Sequence, residues 1–268
     1  MPARDDSRIH SIRRWGQHFL VDPAVLQKVV DYAVLEQGET ILEVGAGTGN
    51  LTTILQRYAS KVVAIEKDPA LANLLQRKFH GKSNVEIVEG DVLRISLPTF
   101  DKVVSSPPYY ISSKLIFLLL KRDFDSMTMT FQKEFASRLD AKPGSANYGR
   151  LTVAVQHRAD VELLDFIPRS AFRPVPRVDS YIVRIAPRHE TTHVDEDFLD
   201  RMVRYLFSQR KRILKGVLKR AMDSTANRSL ESLVRPRALL EKRVFQLTTH
   251  ELENLSNCIR THQSLFEF

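Results

Sequence analysis

From residue 40 onward the apolar positions of this chain form short continuous runs, separated by stretches whose apolar residues recur at helical spacing. Thr40–Val44, Lys61–Ile65, Val85–Glu89, Val103–Ser105 and Met127–Phe131 have the length and β-branched content of buried strands. Leu51–Tyr58 and Pro69–Phe79 instead show the period of a helix. Upstream, Asp22-Pro23 reads as a helix start, because Asp offers an N-cap oxygen and Pro fits the first helical position. Leu26, Val29, Val30 and Ala33 then line one face. Strands alternating with helices predict an α/β fold, a parallel sheet covered on both faces, with ligands at the carboxyl ends of its strands.

The pattern changes near Pro187–Asp195, a polar stretch, beyond which the chain reads as helical and basic. This places an arm and an α/β domain in 1–190 and a small helical domain in 191–268. Residues 201–220 hold eight Lys and Arg and no acid. On one continuous helix Met202, Val203, Leu206, Phe207, Ile213, Leu214, Val217 and Leu218 share a side. Arg201, Arg204, Lys211, Arg212, Lys215 and Lys219 occupy the other, a cationic ridge.

Charge sharpens this division. The chain carries a net +8, and residues 201–268 alone hold 14 Lys and Arg against 6 Asp and Glu, so the first 200 residues are balanced. Such asymmetry is expected of a nucleic-acid footprint, although a solubilising basic face has the same composition. The one cysteine, Cys258, excludes an intramolecular disulfide framework and a zinc site of paired thiolates, and fits a reducing cytoplasm. Arg4, Asp5, Asp6, Arg8, Arg13 and Arg14 leave no apolar core for a signal peptide, and residues 1–15 read as a basic arm. No window approaches eighteen apolar residues, so no membrane span is expected. No convergent His, Cys and carboxylate set suggests a metal, and nothing demands a dimer, so a monomer is expected.

Two loops carry the candidate chemistry. Ser106-Pro107-Pro108-Tyr109 follows a strand end; its prolines fix two φ angles and remove two donors, leaving a stiff loop rich in acceptors beside an aromatic face. Such a slot suits an exocyclic amine, whose lone pair is delocalised until acceptors hold its N–H groups. A purely structural Pro-Pro turn fits the four residues equally well. The second loop, Glu43-Val44-Gly45-Ala46-Gly47-Thr48-Gly49, has G-x-G-x-G spacing rather than the G-x-G-x-x-G of a pyrophosphate loop. Glu66 ends the next strand, placed for ribose hydroxyls, and Asp91 follows Gly90 after the third, in reach of an adenine amine. The series suits a cationic nucleoside, S-adenosylmethionine, with a dinucleotide as the alternative.

With these motifs in order, and with Gly16-Gln17-His18-Phe19-Leu20, Gln132-Lys133-Glu134, Ala141-Lys142-Pro143-Gly144, Tyr148-Gly149-Arg150-Leu151 and Phe172-Arg173-Pro174-Val175-Pro176-Arg177-Val178-Asp179-Ser180, the chain resembles the small-subunit ribosomal RNA adenine N6-dimethyltransferase family. The resemblance implies a class I S-adenosylmethionine-dependent methyltransferase domain, Rossmann-like, with a small all-α C-terminal domain. It implies a cofactor site lined by Gln17, His18, Leu20, Gly45, Gly47, Glu66, Asp91 and Ser106. Ser106 and Pro107 would hold the target amine, and Tyr109 and Phe172 would stack on a flipped adenine. The implied partner is small-subunit rRNA or an immature small subunit, bound through the Arg201–Arg220 ridge. One departure stands out. The family usually carries Asn, then Leu or Ile, before Pro-Tyr, where this chain has Ser106 and Pro107; the Ser-Pro-Pro-Tyr form resembles that of DNA cytosine amino-methyltransferases. Two rivals remain open here: an assembly factor that binds immature subunits without needing catalysis, and an amino-methyltransferase of DNA or large-subunit RNA.

Overall fold

The computed structural model describes residues 17–188, 194–222 and 229–266. The expected basic arm, and Gly16 of the opening motif, lie outside the described residues. The chain divides into two compact units, one drawn from Met1–Ala136 and Val161–Pro187, the other from Ser137–Asp160 and Arg188–Phe268. The last crossing falls close to the expected break at 190. The segment Ser137–Asp160 differs from expectation by joining the C-terminal unit. Ala141, Tyr148 and Val153 are buried in that unit's core, with the Tyr148 and Phe207 ring centroids 5.9 Å apart.

The first unit is built on β1 (Phe19–Leu20), α1 (Pro23–Ala33), β2 (Thr40–Val44), α2 (Asn50–Leu55), β3 (Lys61–Glu66), α3 (Pro69–Lys78), β4 (Val85–Glu89), β5 (Lys102–Ser105), α4 (Ser112–Leu119) and β6 (Ser126–Gln132). After α5 (Lys133–Leu139) and α6 (Arg150–Gln156), the sheet is completed by β7 (Ala159–Ile167) and β9 (Ser180–Pro187), while β8 (Phe172–Arg173) pairs with β1. The seven-stranded order is β4-β3-β2-β5-β6-β9-β7. Pairings from β4 to β6 are parallel; β9 runs antiparallel to β6, with Met129 opposite Val183. The sheet is therefore mixed where the pattern predicted a parallel one. Residues 168–179, which lead into β9, contain no crossover helix, and a parallel connection needs one or its equivalent length.

Ile41, Leu42, Val62, Val63, Val103 and Val104 are all fully buried. A strand covered on both faces has no polar side, which is why these strands read as unbroken apolar runs. Asp22 Oδ1 accepts from the Ala24 and Val25 backbone N–H groups at 2.9 and 3.2 Å and starts α1, whose Leu26, Val29, Val30 and Ala33 are buried. Strand order reverses between β2 and β5: the chain moves outward through β3 and β4, then returns to the other side of β2. The loops leaving β2 and β5 diverge there and open a crevice at the carboxyl ends of the strands.

In the second unit the expected single helix over 201–220 is two, α7 (Glu196–Ser208) and α8 (Leu214–Ala221). Asp195 caps α7 through Phe198 N–H at 2.9 Å. The turn between the helices is tied down by Phe245 N–H to Arg210 O and Val244 N–H to Arg212 O, both 3.0 Å. The break explains why Ile213 is 44% exposed although the wheel placed it inward; the other seven predicted apolar residues are buried. The unit also holds α9 (Leu230–Leu233) and α10 (Thr249–Arg260). No helix among the described residues is long and apolar enough to cross a membrane.

Candidate active site

The crevice at the switch point is a two-lobed cleft. The first lobe is walled by β1, the glycine loop and the start of the β5 loop, with Gln17, His18, Leu20, Gly47 and Ser106 on its surface. The second runs past Lys67, Asp68, Asp91, Tyr110 and Ile111. Gln17, Gly45, Glu66 and Pro108 line both.

Close backbone approach creates this space. Gly45 and Gly47 have φ of +72° and +58°, a region that L side chains avoid. A Cβ on Gly45 would lie 2.8 Å from Pro108 Cδ, and one on Gly47 would lie 2.7 Å from the Phe19 ring. The loop is held by several polar contacts. Glu66 Oε2 accepts from Gly47 N–H at 2.9 Å while its Oε1 accepts from Asp68 N–H at 2.8 Å. Lys78 Nζ donates to Thr48 O and Gly49 O, both at 3.0 Å. Asn50 Nδ2 donates to Leu20 O at 2.9 Å, joining the glycine loop to β1. The register of β1 on β8, Phe19 opposite Arg173 and Leu20 opposite Phe172, together with His18 Nδ1 at 2.8 Å from Pro174 O, seats the opening motif over the loop.

Most of the charged side chains in the lining are carboxylates. Glu43 is buried, accepts from Thr52 Oγ1 at 2.6 Å, and burial pushes its carboxyl up to about 8. Burial also raises Glu66. Asp91 is held low by Lys67, at 2.9 Å. Among the described residues no Lys or Arg lines the first lobe, and the one Lys of the second is paired with Asp91. Among the described residues this lining offers a pyrophosphate no unpaired Lys or Arg, which disfavours the dinucleotide alternative.

At the β5 end, Ser105 Oγ donates to Val44 O at 2.6 Å and clamps β5 to β2. Ser106 Oγ lies 2.8 Å from Thr130 Oγ1, so the half-buried Ser106 is oriented by β6. Tyr109 Oη is 2.5 Å from Ser180 Oγ, and burial raises its phenol to about 12. Phe172, with 1% exposure, meets Tyr109 edge-on at 6.2 Å between centroids. Neither ring lines either lobe. Phe172 packs within an apolar core cluster that includes Leu20 and Ala171, where burial of a ring is favourable. Pro107 is buried behind the wall.

Thr130, Ser180, Ser105, Lys78 and Tyr110 were not among the expected site residues. Ser180 closes the Phe172–Ser180 motif, so a signal existed for it. Thr130 sits in a fully buried strand where no alternation marks its direction. The ridge residues lie on the other unit. Arg201, Lys211, Arg212 and Lys219 are exposed and make no ion pair among the described residues. Arg204 pairs with Asp200 at 2.9 Å and Lys215 with Glu231 at 2.8 Å.

The sequence pattern of the ribosomal RNA adenine dimethylase family matches residues 9–257. The chain belongs to that family. A protein of Methanosarcina mazei named probable ribosomal RNA small subunit methyltransferase A is 39% identical over 248 residues, 91% of this chain and 92% of the relative. One of the same name from Thermococcus gammatolerans is 39% identical over 92% of this chain and 89% of its own length. Among solved structures, a dimethyladenosine transferase from Plasmodium falciparum superposes with a TM-score of 0.83 at 29% identity, covering 93% of this chain and all of that one. The 23S rRNA methyltransferase ErmE gives 0.72 at 28%, covering 90% and 99%. The α/β methyltransferase fold implied by the motifs is thereby established, as is membership of a dimethylase family.

Proposed function

We propose that this dimethylase-family chain transfers methyl groups from S-adenosylmethionine to N6 of adenosines in small-subunit ribosomal RNA, two adjacent ones near the 3′ end, each to dimethyladenosine. The cleft fits the cofactor by its chemistry. Gln17 Oε1 is buried and finds no partner among the described residues, an acceptor waiting for a donor. The Gly45 and Gly47 cradle is space that a Cβ would fill. Glu66 keeps lone pairs beyond the two it gives to backbone, enough to accept ribose hydroxyls. Gln17, His18, Leu20, Gly45, Gly47, Glu66, Asp91 and Ser106 would hold the cofactor, which supplies an electrophilic methyl on a sulfonium.

The remaining chemistry belongs to the loop. Ser106, steadied by Thr130, offers an acceptor to the N–H groups of an adenine amine and keeps its lone pair aligned. The two prolines hold the loop stiff while this happens. Tyr109, fixed by Ser180 and braced by Phe172, serves as the aromatic wall of the target site. The exposed cations of α7–α8 engage phosphates, and the partner is small-subunit rRNA or an immature subunit, met as a monomer in the cytoplasm. The observation that carries the reading is the conjunction of the acid-lined cleft with the acceptor loop on the adjacent strand.

Incubation with labelled S-adenosylmethionine and three acceptors tests the substrate class: unmodified small subunits, large-subunit RNA and duplex DNA. Label confined to small subunits is expected. Tight subunit binding without label would favour the assembly-factor reading, which the Ser106-Pro107 departure motivates.

A further inference from the structure

Beside the second lobe lies a broad groove of about 680 Å³ that shares part of that lobe's wall. Its walls carry Lys67, Arg94, Lys114 and Lys121, with Asp91 as the only carboxylate among the described residues. Asp91 is already engaged by Lys67 at 2.9 Å, with Arg94 at 3.9 Å. Arg94 is 86% exposed at its side chain. Lys114 and Lys121 are exposed, and their side chains have no ion-pair or hydrogen-bond partner among the described residues. Lys114 lies on α4 and Lys121 in the turn that follows it, and both line the groove with Phe117 and Leu118 between them in sequence. At the end nearest the cleft stands Tyr110, 60% exposed, which lines the groove and the second lobe alike.

We propose that this groove is a phosphate track for the RNA strand leading to or from the target adenosine, with Tyr110 as a stacking platform for a neighbouring base. The inference rests on the RNA reading above and assigns a second contact surface, on the catalytic unit itself. Three features favour RNA over an acidic peptide. The two lysines, without side-chain partners among the described residues and seven positions apart, give the groove two cations that a polyanionic backbone can engage together. An exposed tyrosine beside cations is the recurring surface for single-stranded bases, because every base offers a π face. The groove also opens against the cofactor lobe, where a flipped nucleotide must arrive with its backbone.

The test compares the full-length protein with Lys114→Gln/Lys121→Gln and with Tyr110→Ala. Binding to small-subunit rRNA made in vitro is measured across a salt series, alongside KM and kcat for unmodified small subunits and S-adenosylmethionine affinity by calorimetry. The double variant is expected to weaken RNA binding about tenfold and to lower the slope of log K against log salt by roughly 1.4, two contacts at ~0.7 each. KM should rise while kcat and cofactor affinity stay unchanged. Tyr110→Ala should weaken binding with no change in slope, since stacking releases no counterions. A double variant equal to wild type in KM and slope overturns the groove and leaves the methyltransferase reading standing. Loss of cofactor affinity in the double variant also overturns it, since the lysines would then serve the cleft. Wild type that methylates no RNA and binds none removes both readings, whereas methylation by wild type with lysine-independent RNA binding, and an acidic protein captured through the lysines, reassigns the groove to that protein.

Discussion

Ser106 is where this chain departs from its family pattern, and the structure shows how a shorter side chain is accommodated. Thr130 Oγ1, 2.8 Å away, gives the serine hydroxyl a partner and hence a direction. Ser106→Ala is therefore expected to lower kcat roughly a hundredfold, the cost typical of removing one aligned polar group from a reacting centre. RNA affinity should barely change; unchanged kcat would take Ser106 out of the mechanism. Glu43 offers a second residue-scale check. Its native carboxyl titrates at about 8, against 4.5 when unperturbed, so the folded state holds an extra proton between those values. Its contribution to stability is present below about 4.5 and is lost as pH rises through about 8. Glu43→Gln keeps the shape without the charge, so its Tm should gain on wild type as pH rises across that window. A constant gap would show that Glu43 ionises normally.

At the scale of elements, what was legible depended on whether a local signal existed. Asp22-Pro23 specified the start of α1, and the unbroken runs located β2 to β6 to within a residue or two. Both signals are written in adjacent residues. The position of β9 between β6 and β7 was not legible, since strand order follows from long-range pairing and not from periodicity. The break between α7 and α8 was missed for a related reason. No apolar residue falls in 208–212, but Ile213 and Leu214 follow Leu206 and Phe207 by seven residues and so keep a helical register, while backbone bonds from Val244 and Phe245 hold the intervening stretch as a turn. Phe172, read through its motif as a base-stacking ring, is a buried side chain, a position that no local periodicity marks in its short Pro-rich segment. The α1 cap makes a direct check possible. Asp22→Ala should cost about 1 kcal/mol in chemical denaturation, as both Ala24 and Val25 lose their acceptor. A loss near zero would mean that the tertiary contacts of α1 alone define its start.

For the whole molecule, the charge asymmetry seen in the sequence acquires a physical form in exposed Arg201, Lys211, Arg212 and Lys219. Cations already paired within the chain have less to gain from phosphate, so these four should dominate the salt dependence of RNA binding. Replacing all four with Gln is expected to flatten the log K against log salt slope by about 3 while leaving cofactor affinity intact. An unchanged slope would assign the ridge to solubility alone. The cleft and the ridge lie on separate folded units, so damage to one should leave the stability of the other's contacts unaffected.

The most direct test of the central claim is the identity of the product nucleoside. Unmodified small subunits are incubated with the protein and S-adenosylmethionine, and the RNA is digested to nucleosides and resolved by mass. N6,N6-dimethyladenosine is expected, with the Ser106→Ala reaction yielding about a hundredth as much at matched early times. A methylated cytidine, or no methylated nucleoside despite saturating subunit binding, would contradict it.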